Sequence, residues 1–175
     1  MKVSRAITVR RPRSEVYAFW RDFENLPRFM YHLAYVENLG SGRSHWVARA
    51  PAGRSVEWDA EIIADRPDEE ISWRTMGKDD DVRHTGSVYF VPAPGDRGTE
   101  VHVRLNYDAP GGKVGAMVAR LFGEEPSQQV DDDLRRFKQV MEVGEVVRSE
   151  ASPEGTGQGI MRQQANAPQE ANARL

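Results

Sequence analysis

The stretch VDDDLRRFKQVMEV, residues 130–143, decides the fold of this chain. Its apolar residues recur at three- and four-residue spacings, which places them on one face of an α-helix. That face carries Val130, Leu134, Phe137 and Met141, and it is widened by Val140, Val143 and Val147. The opposite face is charged, so the helix needs an apolar surface on one side only. We expect a helical region from about 113 to 148, broken at 123–126, that lies on a β-sheet formed by the preceding chain.

The chain before this region contains short runs in which apolar and polar residues alternate, the pattern of half-buried β-strands. The clearest run is VEWDAEIIA, residues 56–64. Short turn-forming segments separate the runs, which predicts an antiparallel meander. Pro12 and a bend at 25–27 indicate two short helices after the first strand. The predicted strands are 3–9, 35–39, 45–50, 56–64, 71–76, 83–90 and 101–107.

The two faces of this sheet differ in polarity. One face is apolar and aromatic, and the other is charged. We expect the charged face to be solvated, with opposite charges paired across neighbouring strands. Its residues are Glu57, Asp59, Glu61, Arg74, Arg83, His102 and Arg104.

Composition excludes several classes of protein. The 175 residues carry a net charge of -3 and contain no cysteine. The charge argues against a nucleic-acid partner, and the lack of cysteine excludes disulfides and thiolate zinc sites. The four histidines lack paired metal-ligand spacing, and there is no Walker loop or G-x-G-x-x-G motif, so we expect neither metal nor cofactor. No apolar run approaches the ~20 residues needed to span a bilayer, and no signal-type segment follows the N-terminus. We therefore expect a cytoplasmic protein without stable membrane insertion.

The apolar patterning ends near residue 148. We therefore expect one domain over 1–148 and a polar tail over 149–175. The tail is rich in Gly, Gln, Asn and Pro, and it has too few apolar residues to offset the entropy lost on ordering. The prediction is a disordered tail.

Five segments of the chain are similar to one known family. They are PRSEVYAFW at 12–20, FENLPRFM at 23–30, WDAEI at 58–62, ISWR at 71–74 and LRRFK at 134–138. They resemble the polyketide cyclase/dehydrase-like branch of the START/Bet v 1-like superfamily, also called SRPBCC. The resemblance covers about residues 1–148.

This resemblance implies an α+β helix-grip fold. A curved antiparallel sheet of about seven strands would wrap around a long C-terminal helix, with two short helices after strand 1. An apolar cavity would lie between the sheet and the helix. No catalytic motif of a particular enzyme branch is present, so the resemblance implies no catalytic residue.

Strand and helix parity selects the residues that would face such a cavity. Trp58, Trp73, Val88, Phe90, Leu105 and Tyr107 come from the sheet, and Met117, Leu121, Leu134, Phe137 and Met141 come from the helices. The alternative for each is a place in a closed core. Thr75 and His84 share the inward parity and supply polar groups.

His84 and Tyr107 are the candidate acid/base residues, because an inward imidazole or phenol can move a proton. A histidine bonded to backbone at a strand end is the plainer interpretation of His84. The acidic runs at 79–81 and 131–133 are interpreted as a solvated turn and as charges that favour a helix start.

Three functions are consistent with these patterns. The first is binding, with or without transport, of a small hydrophobic ligand such as a lipid, polyketide or aromatic compound. The second is a cyclase/dehydratase-type enzyme that uses the same cavity. The third is a protein-interaction module with a closed, dry core. Side-chain types alone identify neither the ligand nor the oligomeric state.

Overall fold

The computed structural model describes residues 1–76, 83–108 and 126–145. Its helices are α1 (Arg13–Arg21), a 3₁₀ helix (Phe23–Arg28) and α2 (Pro126–Val143), with two three-residue 3₁₀ turns at Pro51–Gly53 and Pro94–Asp96. Seven strands make up the rest of the fold: β1 (Lys2–Val9), β2 (Leu33–Gly40), β3 (Arg43–Arg49), β4 (Ser55–Arg66), β5 (Glu70–Thr75), β6 (Arg83–Pro92) and β7 (Thr99–Asp108). Met117, Leu121, Val147 and the predicted tail lie outside the described residues.

The seven strands form one antiparallel sheet in the order β1-β7-β6-β5-β4-β3-β2. Chain neighbours from β2 to β7 pair with each other, and β1 closes the sheet by pairing with β7, where Val3 faces Leu105. The register between β4 and β5 shifts between Ile62 and Ala64, a local irregularity that increases twist. The prediction of a seven-stranded helix-grip fold is confirmed.

The two helical pieces after β1 follow from local chemistry. Pro12 precedes α1, and its carbonyl accepts hydrogen bonds from the amides of Glu15 and Val16. At the end of α1, the Asp22 carboxylate accepts a 3.2 Å hydrogen bond from the Glu24 amide and caps the 3₁₀ helix. The bend places buried Trp20, Phe23, Leu26 and Phe29 against the sheet and α2.

Helix α2 lies across the open edge of the sheet that β1 forms. Arg5 Nε is 3.0 Å from Asp131 Oδ2, and Lys138 Nζ donates a 2.6 Å hydrogen bond to the Thr8 carbonyl. The Arg10 amide donates to Glu142 Oε1 at 2.9 Å. These contacts fix the helix along the length of the edge strand.

The apolar face of α2 is shorter than the sequence predicts. Val130, Leu134, Phe137 and Val140 are buried, whereas Val143 is 63% exposed. Gly144 explains this difference, because its φ of 89° is a left-handed conformation that ends helices. Its amide donates to the Val140 carbonyl at 2.9 Å. The helix therefore ends at Val143 rather than near 148.

An aromatic cluster joins α1, the bend and α2. The ring centroid of Phe137 lies 5.0 Å from that of Trp20 and 4.9 Å from that of Phe29. All three side chains are fully buried. Among the described residues, neither α1 nor α2 combines the length and apolarity that crossing a bilayer requires.

Candidate functional site

A cavity lies between the inner face of the sheet and the first half of α2. Its volume is about 50 Å³, counted as the space that the centre of a water molecule can reach. This holds on the order of four water molecules or a ring-sized group. The described residues that line it are Trp20, Phe29, Met30, His32, Trp46, Trp58, Trp73, His84, Val103, Leu105, Tyr107, Gln129, Val130, Asp133 and Leu134.

Three tryptophans from neighbouring strands form one wall of the cavity. Trp46 on β3 and Trp58 on β4 are direct cross-strand partners, with ring centroids 5.8 Å apart and planes 28° apart. Trp73 on β5 stacks on Trp46 at 6.3 Å and 22°. Phe23 meets both Trp46 and Trp73 edge-on. The result is a panel of nearly parallel indole rings.

Gly86 makes room for the Trp73 ring. It is the cross-strand partner of Trp73 on β6. A Cβ at this position would overlap the Cζ2 and Cε2 atoms of Trp73. Only glycine therefore lets the indole ring lie close against the β6 backbone.

Several buried nitrogen atoms in this wall lack a hydrogen-bond partner among the described residues. They are Nε1 of Trp20, Trp58 and Trp73, and Nδ1 of His84. Trp46 differs, because its Nε1 donates a 2.8 Å hydrogen bond to Ser44 Oγ. Buried polar groups are rarely left unpaired, because each costs roughly 1–3 kcal/mol. These nitrogens lie behind an almost wholly apolar cavity surface, so a bound molecule reaches them only if wall side chains shift.

His84 stands edge-on to the tryptophan panel. Its ring centroid is 5.4 Å from that of Trp58 and 6.0 Å from that of Tyr107. Its backbone amide donates a 3.2 Å hydrogen bond to Thr75 Oγ1. Burial lowers the pKa of His84 to about 4, and the neighbouring His32 adds to this shift. The imidazole is therefore neutral at pH 7.

Tyr107 completes this side of the wall from β7. Its backbone amide donates to the Met1 carbonyl at 2.8 Å. Burial raises the pKa of its phenol, and the Asp133 carboxyl adds a smaller contribution in the same direction. The hydroxyl keeps its proton over the physiological range.

A buried carboxyl group on α2 also borders the cavity. The side chain of Asp133 is buried, and its Oδ1 accepts a 2.6 Å hydrogen bond from Arg136 Nη2. Its Oδ2 lies 3.9 Å from His32 Nδ1. Arg136 Nε donates to the Phe29 carbonyl, and its guanidinium lies 4.2 Å from the centroid of the Tyr31 ring.

The surroundings shift both of these titratable groups towards their neutral forms. Burial raises the pKa of Asp133 to about 7, although Arg136 acts in the opposite direction. Burial also lowers the pKa of His32 to about 4, helped by the positive charge of Arg136. Among the described residues, no three His, Cys, Asp or Glu side chains are grouped so that they could hold a metal ion.

A larger depression lies at the other end of α2, where Lys138 meets the β1–α1 and β6–β7 connections. Its volume is about 1070 Å³ in the same measure. Arg10, Arg11, Arg13 and Arg97 contribute to its wall, so it is open and charged rather than enclosed and apolar. The smaller cavity is the better match to a site for apolar molecules.

Comparison with known proteins assigns the chain to a family. Residues 9–135 match the family described as "Polyketide cyclase / dehydrase and lipid transport". The chain belongs to this polyketide cyclase/dehydrase family. A protein of Streptomyces lincolnensis, described as an uncharacterized 17.2 kDa protein, is 32% identical over 143 residues, which are 81% of this chain and 89% of the relative.

Solved structures of other proteins share the fold of this chain. A Deinococcus radiodurans crystal structure is 43% identical, with a TM-score of 0.66, and the match covers 82% of this chain and 99% of that one. A START superfamily protein from Mycobacterium smegmatis shares the fold, with 18% identity and a TM-score of 0.61, over 79% of this chain and 98% of that one. The predicted superfamily is confirmed.

Six of the residues that strand and helix parity selected from the sequence line the cavity. They are Trp58, Trp73, His84, Leu105, Tyr107 and Leu134. Their role in binding stays a prediction, as does that of Met117 and Leu121, which lie outside the described residues.

The cavity wall does not include Thr75, Val88, Phe90, Phe137 or Met141. Most of these residues lie on the predicted face of their strand or helix, but further along it than the cavity extends. Val88 and Phe90 lie further along β6, where Phe90 packs edge-on against Tyr17 of α1. Phe137 and Met141 lie beyond the half of α2 that borders the cavity. The Thr75 hydroxyl oxygen accepts a hydrogen bond from the His84 amide.

Parity missed several wall residues, and Asp133 is the most consequential. The run at 131–133 was expected to consist of charges at a helix start. Asp131 and Asp132 do pair with Arg5 and Arg135 at the surface, but Asp133 turns inward. Its position three residues after Val130, on the apolar face of α2, was the available signal.

Proposed function

We propose that the protein binds a small hydrophobic ligand in the cavity between the sheet and α2. The ligand class includes lipids, polyketides and aromatic compounds. The proposal includes transport of the ligand. The observation that supports it is the aromatic cavity lined by Trp58, Trp73 and His84, whose side-chain nitrogens Nε1 (Trp) and Nδ1 (His) are buried and have no partner among the described residues. A closed structural core would satisfy or exclude such groups.

Burial of apolar area supplies the affinity. At about 25 cal/mol per Å², a ring-sized ligand that buries about 150 Å² gains about 4 kcal/mol. This alone corresponds to a Kd of about 1 mM, and hydrogen bonds to the wall add to it. A longer lipid or polyketide exceeds the cavity, so its binding requires wall residues to move.

The test is binding of a panel of apolar probes, measured by isothermal titration calorimetry and native mass spectrometry. The Val103→Phe variant places a ring in the cavity, because Val103 is a buried wall residue. We expect wild-type protein to bind at least one ring-sized probe and V103F to lose at least tenfold in affinity.

A matched control places the same ring outside the cavity. Ile63 is 52% exposed, so Ile63→Phe should leave binding unchanged. Thermal melts of both variants identify unfolding. The proposal is wrong if no probe binds to folded wild-type protein, or if folded V103F binds as tightly as wild type.

A second candidate function is proton transfer on the ligand, as in a cyclase or dehydratase. The observation that favours it is the buried Asp133 carboxyl, whose pKa of about 7 suits an acid/base group at neutral pH. It borders the same cavity as His84 and Tyr107, the acid/base candidates from the sequence. A base there would remove a proton next to a ligand carbonyl, and the wall N–H groups would stabilise the resulting enolate oxygen.

This function is tested with acetophenone in D₂O, in which NMR follows exchange of the methyl protons for deuterium. The rate of enzymatic exchange should increase with pH, with an inflection near pH 7. This exchange should be lost in the Asp133→Asn variant. His84→Ala tests the imidazole separately, and unchanged exchange would remove His84 from the mechanism. An exchange rate equal to that of buffer would exclude proton transfer on this class of ketone.

A further inference from the structure

We propose that the cavity selects a neutral, flat ring that bears a hydrogen-bond acceptor such as a carbonyl or ether oxygen, and that it excludes carboxylate ligands such as fatty acids. This inference rests on the proposed binding function and narrows its ligand class. Three properties of the wall support it: the kind of polar atoms, the shape of the aromatic panel and the distribution of charge.

The wall nitrogens that lack a partner among the described residues are mainly donors. Trp20, Trp58 and Trp73 come from α1, β4 and β5, and each has a buried indole N–H without a partner among the described residues. An indole N–H donates and never accepts. A ligand that satisfies it must therefore bring an acceptor, whereas a plain hydrocarbon leaves it unpaired at a cost of roughly 1–3 kcal/mol.

The shape of the wall favours a planar ligand. The Trp46, Trp58 and Trp73 rings lie within 28° of parallel in each stacked pair, and Gly86 keeps the Trp73 ring close to the sheet. His84 stands at 82° to Trp58 and offers a ring edge. Aromatic groups gain most from offset-stacked and edge-to-face contacts of this kind.

The charge distribution disfavours an anion. The described wall residues include the carboxyl of Asp133 but no Lys or Arg. Arg136, the cation beside Asp133, is directed to Asp133 and to the Phe29 carbonyl. His32 and His84 have pKa values of about 4 and are neutral at pH 7. A bound carboxylate would be a buried charge without a counter-ion among the described wall residues.

The experiment compares three ligands that share one ring: toluene, acetophenone and benzoate, titrated by calorimetry at pH 7.5. We expect acetophenone to bind at least tenfold more tightly than toluene, although water solvates acetophenone better. Benzoate should bind at least 100-fold more weakly than acetophenone. Decanoate extends the test to a fatty acid and should not bind.

The indole N–H signals in a ¹⁵N–¹H NMR spectrum provide a direct readout. Acetophenone should shift the Nε1–H signals of Trp58 and Trp73 downfield, and toluene should not. The Nε1–H of Trp46 already donates to Ser44 and serves as an internal reference. Trp58→Phe and Trp73→Phe should each reduce the preference for acetophenone over toluene, while Glu61→Gln on the outer face should not.

The outcomes separate this inference from the proposed function. Equal affinities for toluene and acetophenone, without a Trp58 or Trp73 shift, would leave a hydrophobic binding protein and overturn the selection of acceptors. Benzoate or decanoate that binds as tightly as acetophenone would overturn the exclusion of anions. If neither these four ligands nor any probe of the wider panel binds, the proposed binding function itself fails.

Discussion

His32 Nδ1 lies 3.9 Å from Asp133 Oδ2, inside the cavity wall. Their burial shifts their pKa values in opposite directions, to about 4 for His32 and about 7 for Asp133. Both groups are therefore neutral in the same pH window, between these two values. The folded state prefers two uncharged side chains here, which makes its stability depend on pH in a defined way.

The unfolding free energy of the Asp133→Asn variant should depend less on pH than that of wild type. The folded-state pKa of Asp133 lies above its ordinary value of 3.8, so its stabilising contribution is complete below pH 3.8 and is lost as pH rises through 7. Wild type should thus lose stability relative to D133N between pH 5 and pH 8, by on the order of a few kcal/mol.

Urea denaturation at several pH values measures this difference. Asp132→Asn is the matched control, because Asp132 pairs with Arg135 at the surface. A constant difference between wild type and D133N from pH 5 to pH 8 would show that Asp133 has an ordinary pKa.

His84→Phe should protect the protein against acid. The folded-state pKa of His84 lies below its ordinary value of 6.5, so its contribution is present above pH 6.5 and is lost as pH falls through 4. H84F has no proton to take up, and its unfolding free energy should fall less than that of wild type between pH 6.5 and pH 4. Parallel curves for the two proteins would contradict burial of a neutral imidazole.

Trp58→Phe and Trp46→Phe should have different effects on stability. W58F removes an N–H that has no partner among the described residues, so part of the lost apolar contact is offset. W46F removes a paired N–H and leaves the buried Ser44 hydroxyl without its donor. We expect W46F to lose at least about 1 kcal/mol more than W58F in urea denaturation. The reverse order would contradict the assigned hydrogen bonding.

Gly86→Ala should disturb Trp73. The added Cβ overlaps the indole ring, and the ring must move away from β6. Overpacking of this kind typically costs about 1–3 kcal/mol, and the displaced ring should reduce acetophenone affinity. Thr85→Ala changes the exposed neighbour on the same strand and serves as the control. An unchanged melting temperature and affinity in G86A would show that Trp73 does not depend on this glycine.

The sequence predicted the fold well because its signals are periodic. Alternation in 56–64 and the three- and four-residue spacing in 130–141 identified a strand and a helix with the correct buried faces. The cross-strand pairing expected on the outer face is confirmed for Glu61 and Arg74, whose Oε1 and Nη2 lie 2.6 Å apart. The end of α2 was misplaced, because Gly144 interrupts a pattern that continues to Val147.

The site was less predictable, because parity defines a face and not a position along it. Phe90 and His84 share a face of β6, but only His84 borders the cavity. Asp133 was missed because three adjacent aspartates have the same composition although the helix directs them to different surroundings. The indole N–H groups of Trp20, Trp58 and Trp73 lack partners within the described part of the chain because of three-dimensional packing, which no spacing in the sequence reveals.

The contacts between α2 and β1 also affect association between molecules of this protein. Exposed strand edges are templates for intermolecular pairing, and β1 and β2 are the two outer strands of the sheet. On β1, Lys138 Nζ donates a hydrogen bond to the Thr8 carbonyl. On β2, the Asn38 amide donates to the Glu24 carboxylate, and the pairing of β2 with β3 is irregular. Both margins are thereby poorly suited to adding a foreign strand, which should slow aggregation of the folded protein at high concentration.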